Sequence, residues 1–132
     1  MSLQTGGEAI ESREKALFVA RVAWEKKAEV PVILDVGEKS DVANYLVVCS
    51  ANSDRGVRTI VESVGRELKK REVKILGTEG LQEGRWVLLD LVDVVLHVFY
   101  RPLREFYDIE GLWIDSRRVD LPFLNESRSE VV

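Results

Sequence analysis

The chain is short of the residues that most often carry chemistry or covalent cross-links: among 132 residues there is one cysteine, Cys49, and one histidine, His97. A lone cysteine cannot close an intrachain disulfide, and no basic flank followed by an apolar signal stretch appears at the start, so the cytosol is the expected compartment. Long apolar runs are missing too. The longest is broken by Asp90, Asp93 and His97 and falls below the roughly 18 to 20 residues that span a bilayer, so a membrane role is not expected. No P-loop, no G-x-G-x-x-G and no G-x-S-x-G elbow occurs, which removes the commonest phosphate-cradling and nucleophile motifs. No internal repeat or low-complexity segment is visible.

What is present suits one folded domain. Apolar residues make up 45% and charged residues 32% of the chain, too apolar for disorder throughout and long enough to bury a core without staples. The net charge of −4 mildly repels a phosphate backbone, so nucleic acid is not expected as the primary partner. Charge is also uneven. Residues 79–115 are rich in carboxylates while residues 53–72 lean basic, which is compatible either with an acidic surface for a basic protein partner or with ordinary solvated side chains.

Residues 1–10, with Gly6 and Gly7 and no periodic pattern, read as a disordered or tag-derived start. Ser12 is a candidate N-cap. Leu17, Ala20, Trp24 and Ala28 then recur at helical spacing to about Glu29, before Pro31, which makes Trp24 a core residue rather than a binding site. Val32 to Val36 and Tyr45 to Cys49 read as buried strands joined by a loop too short for a helical crossover, so antiparallel pairing is expected. SANSD, from Ser50 to Asp54, is turn and cap chemistry. Val57, Ile60, Val61, Val64 and Leu68 mark the inner face of a second helix ending near Arg71. A third strand at Val73 to Leu76 would close a strand–helix–strand unit onto a parallel neighbour.

Trp86 to Asp90 and Asp93 to Phe99 form a hairpin around Leu91 and Val92. Val92 resists the positive φ of a tight turn, so a bulge or longer loop is expected. Pro102 starts a short helix carrying Phe106 and Tyr107, after which Ile109, Leu112 and Trp113 return to the sheet. The domain is set at residues 11–115 and a flexible tail at 116–132. The expected fold class is α/β: a single-domain mixed β-sheet of about five strands with flanking helices. A sheet edge and exposed aromatics are compatible with a homodimer.

Asp90, Asp93 and His97 are the one set that could hold a divalent metal or share a proton. Alternation along strands makes their convergence uncertain, and a hydrogen-bonded structural His97 is favoured. Cys49 beside Ser50 lacks an oriented base and reads as a buried thiol. SANSDR at a helix start could bind an anion, but Asp54 already answers the helix dipole. Trp86 beside Arg85 joins two residue types enriched at interface centres; periodicity does not decide whether the indole is outward or in the core.

EGRWVLLD (Glu83–Asp90), DVVLHVF (Asp93–Phe99) and REFYDIEGLW (Arg104–Trp113) follow LDV near Leu34, SDVANYLVVCSANSDRGV (Ser40–Val57) and GTEG. In this order they resemble the Iojap-like family, the ribosomal silencing factors, over roughly residues 15–115. Asn44 stands where the family usually has Asp, Ala51 where it has Gly, and Leu91–Val92 where it has an aromatic or aliphatic residue followed by Gly. The resemblance implies a nucleotidyltransferase-like architecture without the activity and without a cofactor. It also implies docking on the large ribosomal subunit through ribosomal protein L-fourteen, blocking small-subunit joining and repressing translation under nutrient limitation. Motif by motif, it assigns partner binding to Trp86, with Arg85, His97 and Tyr107 as further contacts and Asp90 positioning Arg85 or a basic group of the partner. The alternative is a small nucleotidyltransferase-like enzyme using a metal at Asp90, Asp93 and His97; SANSDR is not that class's Gly-Ser turn, and Asp90 with Asp93 is not its D-x-D pair.

Overall fold

The computed structural model describes residues 10–126. The expected loose start therefore lies outside the described residues except for Ile10, as do residues 127–132 of the expected tail. Helix α1 (Ser12–Glu25) buries Ala16, Val19, Ala20 and Ala23 at three- and four-residue spacing. Ser12 does not cap it: Glu11 occupies that position without a side-chain bond, while Ser12 donates Oγ–H to Asp93 Oδ2 and accepts from Asn44 Nδ2 at 3.1 Å. Helix α2 (Asp54–Lys70) is capped by Ser53, whose Oγ accepts the Gly56 N–H at 2.9 Å, and carries Asp54 in its first turn and Lys69 and Lys70 in its last.

The strands are β1 (Glu29–Asp35), β2 (Tyr45–Ala51), β3 (Gly77–Glu79), β4 (Trp86–Asp90), β5 (Val94–Tyr100) and β6 (Arg117–Arg118), in the sheet order β3-β4-β5-β2-β1-β6. The class is α/β as expected, with six strands rather than about five. Only β2 and β5 run parallel; every other neighbouring pair is antiparallel. Of the expected third strand at Val73 to Leu76, only Leu76 meets the sheet, its N–H bonding the Asp90 carbonyl at 2.7 Å just ahead of β3. Val73 N–H instead returns to the Leu68 carbonyl at 2.9 Å, and Val73 and Ile75 pack on the helix-side core. The crossover from β2 through α2 therefore reaches its parallel neighbour only at β5, after the β3–β4 pair. Both α1 and α2 cover one face of the sheet, over Ile33, Val47, Cys49, Val87, Leu96 and Val98.

The opposite face, built on Val32, Leu34, Leu46, Val48 and Phe99, is covered only in part. Its cover is α3 (Arg101–Tyr107), which buries no side chain, and the one-turn α4 (Ile109–Leu112). Ile109 returns to the sheet, but Leu112 is exposed. Residues after Ser116, expected as tail, extend the domain as far as they are described. β6 pairs with β1, and a 3-10 turn (Pro122–Asn125) buries Phe123, whose ring lies 6.5 Å from that of Trp24. Val119 and Phe123 enter the core from this charged stretch and Leu121 packs against it, adding apolar burial to the strand pairing. No helix among the described residues is long and apolar enough to cross a membrane.

The β4–β5 connection is tighter than expected. Val92 adopts φ 81°, and the Asp93 N–H bonds the Leu91 carbonyl at 3.1 Å, a three-residue turn of the rare kind. Asp90 supports it by accepting the Val92 N–H at 2.9 Å. A branched Cβ at positive φ is strained, and Val92 is exposed, so little packing compensates. Val92→Gly should therefore raise stability by about 0.5–1 kcal/mol, seen as a melting temperature higher by about 3 °C.

The same turn is pinned to α1. Lys15 Nζ, buried, reaches the Leu91 carbonyl at 3.0 Å and Asp93 Oδ1 at 2.5 Å. Burial works against the Asp93 charge, yet bonds from Lys15 and Ser12 hold its carboxyl below the usual carboxylate range. Lys15→Met keeps the stem and removes the cation from a half-buried carboxylate; a loss of about 2 kcal/mol in urea unfolding is expected, with the slope unchanged.

Candidate functional site: an aromatic face on the open side of the sheet

Side chains alternate along β4, so Val87 and Leu89 enter the helix-side core while Trp86, Leu88 and Asp90 stand on the open face. Across the strands, Trp86 lies opposite Phe99, Leu88 opposite His97 and Asp90 opposite Val95. The register thus gathers rings from distant parts of the chain. The Trp86 ring lies 5.0 Å from Phe99 and 4.7 Å from Tyr107, whose own ring meets Phe106 edge-on at 5.0 Å. Trp86 is half-buried, whereas Tyr107 and Phe106 are 46% and 77% exposed. Single exposed apolar residues are ordinary; here a contiguous set surrounds an indole, which makes this face the candidate site.

His97 fixes the indole. The Trp86 Nε1–H donates to His97 Nδ1 at 3.1 Å, which requires that nitrogen to be unprotonated and puts the ring hydrogen of the neutral form on Nε2. Burial favours that neutral form and pushes the His97 pKa down to about 4.

The helix carrying Tyr107 buries no side chain fully; beside the partly buried Leu103 it is held by charge. Arg104 donates to the carbonyls of Glu29 and Val30 at 3.1 and 2.7 Å, to Ser50 Oγ at 3.2 Å, and to both oxygens of Glu110 at 3.0 and 3.3 Å. Arg101 pairs with both oxygens of Glu29 at 2.8 and 2.5 Å. The side-chain hydrogen bond from Arg101 lowers the Glu29 carboxyl below its usual range, against opposing burial. These contacts also satisfy the carbonyls of the β1 bulge at Val30, which has φ 44°.

Of the five residues singled out in the sequence, the structure brings Trp86, His97 and Tyr107 together. Asp90 shares their face but sits at the far end of β4, engaged with the turn rather than with Arg85. Arg85 leaves the strand on the other side, its guanidinium 6.0 Å from the Tyr100 ring, in an open hollow with Asn52, Ser53, Asp54 and Glu83. Adjacency in sequence placed Arg85 beside Trp86; strand alternation separates them. Sequence reasoning missed Phe99 and Arg104. The cross-strand pairing that stacks Phe99 on Trp86 needed the hairpin register, and no local pattern announced the separate segments that Arg104 ties together.

Asp90, Asp93 and His97 do not converge. Asp93 faces Lys15 and Ser12, Asp90 bonds the turn, and His97 Nδ1 is taken by Trp86. Among the described residues no group of three or more His, Cys, Asp and Glu side chains is placed to hold a metal ion. Cys49 is fully buried, and desolvation pushes its thiol up to about 12 against the opposing field of Arg104, which leaves it a poor nucleophile. Ser53 and Asp54 cap and flank α2, as their positions suggested.

Comparison with known proteins adds to this geometry. A family model described as "Ribosomal silencing factor during starvation" matches residues 9–131. The chain is 39% identical over 113 residues to the ribosomal silencing factor RsfS of Bacillus subtilis, covering 85% of this chain and 96% of that one. It is 28% identical to the chloroplastic protein Iojap of Arabidopsis thaliana, covering 89% of this chain and 49% of the other. Among solved structures, a protein of Chromobacterium violaceum superposes with a TM-score of 0.78 at 31% identity, over 85% of this chain and 92% of its own.

Proposed function

Because the chain belongs to the family of ribosomal silencing factors, we propose that it binds the large ribosomal subunit through ribosomal protein L-fourteen and blocks joining of the small subunit. It would thereby repress translation in the cytoplasm when nutrients are short. The observation that carries this reading is the half-buried Trp86, locked by His97 and framed by exposed Tyr107 and Phe106 on the incompletely covered face of the sheet. An aromatic anchor already held in one orientation loses little side-chain entropy on docking, which is how one residue comes to dominate an interface.

Occlusion asks for affinity and no turnover. A Kd near 1 μM corresponds to about −8 kcal/mol, within reach of one interface of roughly 1,600 Å². Trp86 and Tyr107 would contact the partner directly, His97 would hold the indole, and Asp90 would meet a basic group. Arg85, on the other face, is assigned no direct contact. A homodimer using the same open face would have to part before docking.

The test is co-sedimentation of the protein with purified large subunits, followed by addition of small subunits. Sedimentation with large subunits and fewer joined ribosomes, independent of added nucleotide, is expected; failure of the wild-type protein to sediment with large subunits would sink the reading.

A further inference from the structure

At its β3 edge the open face has a gap in its lattice of side chains. Gly77 pairs with Asp90 and Glu79 with Leu88, while Asp90 also pairs with Val95. Residues directly opposite in a sheet point the same way, so Glu79, Leu88, Asp90 and Val95 share a face on which Gly77 contributes nothing. The result is a groove of about 250 Å³ lined by Leu76, Gly77, Glu79, Leu88, Asp90 and Val95. Its floor is apolar: Leu88 and Val95 are half-buried, and Leu76 is 58% exposed. Among the described residues, neither Glu79 nor Asp90 is in an ion pair; Asp90 uses one oxygen on the Val92 N–H. The groove continues the aromatic face, since Leu88 is the next residue after Trp86 on that side and lies opposite His97.

An apolar floor with two unpaired carboxylates at its wall suits one kind of group, a long side chain with a cationic end. Its methylene stem covers Leu88 and Val95 while an ammonium or guanidinium meets the carboxylates. We propose that this groove is the subsite for a lysine or arginine side chain of the docking partner, seated beside the Trp86 anchor. This rests on the reading that the Trp86 face docks on the large subunit. Such a subsite divides the labour of recognition: the aromatic anchor supplies burial, and the groove selects a partner with a basic residue at a fixed distance from the anchor's pocket.

Gly77 makes the groove testable without unfolding the protein. A Cβ added there meets nothing within 4 Å, and the residue is outside the left-handed region. Gly77→Ile, β-branched in a strand, should fold and melt no lower than wild type while filling the groove. Two readouts are needed. In the first, the alkyl cation 1-butylguanidinium is titrated into the protein and backbone amide signals are followed by NMR. Shifts at Gly77, Leu88 and Val95 are expected in wild type, with much smaller ones in Gly77→Ile or with uncharged 1-pentanol. In the second, affinity for purified large subunits is measured. Gly77→Ile should weaken it about tenfold or more. The double variant Glu79→Gln/Asp90→Asn should weaken it several-fold with a shallower salt dependence, since the amide oxygen introduced at position 90 can still accept the turn's N–H.

Absence of groove shifts with the cation, or a folded Gly77→Ile that binds subunits as wild type does, would overturn the subsite while leaving the Trp86 reading intact. If wild type does not bind subunits at all, the docking reading fails, and the cation shifts alone decide whether the groove accepts a basic side chain.

Discussion

Trp86→Ala should weaken binding to large ribosomal subunits by about 2 to 4 kcal/mol, a rise in Kd of roughly 30- to 1,000-fold. The size follows from what the indole does in the free protein. It stacks on Phe99, meets the tilted ring of Tyr107 and is hydrogen-bonded to His97, so its orientation is set before docking, yet enough of it remains open to be covered by a partner. Removing it deletes the central contact area and also releases Tyr107 from its neighbour. Part of the loss would be a change in fold stability, which circular dichroism and thermal unfolding of the variant would measure. Trp86→Phe separates the contributions. Phe keeps an aromatic ring against Phe99 and Tyr107 but cannot donate to His97, so its affinity should fall between wild type and Ala. Equal binding by wild type and a folded Ala variant would remove Trp86 from the interface.

That prediction depends on a feature only half legible in the sequence. The pattern around Trp86 allowed two faces, and motif resemblance, not periodicity, put the indole in the binding role. What decides its placement is cross-strand register: Trp86 opposite Phe99 fixes the face, and α3 then lays Tyr107 over it. Local signals did well where local physics dominates, in the capped and amphipathic α2, the β1–β2 pair and the β4–β5 hairpin. They failed where tertiary contacts overrule propensity. Val73 to Leu76 has strand composition, but β3 forms at Gly77–Glu79 while Val73 is tied to the end of α2 and Val73 and Ile75 pack on the core beneath it. Val92 takes a conformation its side chain disfavours because Asp90, Leu91 and Asp93 close the turn around it. The described part of the C-terminal segment looked like tail since its charges are contiguous, while it docks through the β6–β1 pairing and the apolar side chains of Val119, Leu121 and Phe123.

The second large effect is a dependence on pH centred on His97. Its pKa is lowered by burial from the ordinary 6.5 to about 4. The residues paired with it across the strands, Leu88 and Val48, and the nearby rings of Trp86 and Phe99 carry no charge that could stabilise an imidazolium. Above pH 6.5 the ring is neutral in both the folded and unfolded chain, and the folded state keeps its full stability. Between 6.5 and about 4 the unfolded chain binds a proton that the folded one refuses, so stability falls as the pH falls; below about 4 both are protonated and the loss from this residue is complete. The gap corresponds to about 3 kcal/mol. Lowered carboxylates such as Glu29 and Asp93 begin to add their losses as the pH falls into the ordinary carboxylate range, where the unfolded chain takes up their protons, so the interval from about 6.5 to 5 reports on the histidine. Urea unfolding across that interval should show stability declining with acid in wild type and a nearly flat profile in His97→Asn, whose amide oxygen can take the place of Nδ1 without titrating. The same variant tests the link to recognition. Protonated His97 can no longer accept from Trp86, yet the folded protein refuses that proton until about pH 4, so affinity for large subunits should hold to about pH 5 in both proteins and weaken in wild type alone as the pH falls toward 4. Parallel pH profiles for the two proteins would show that the indole is held by its ring neighbours and that His97 only fills space.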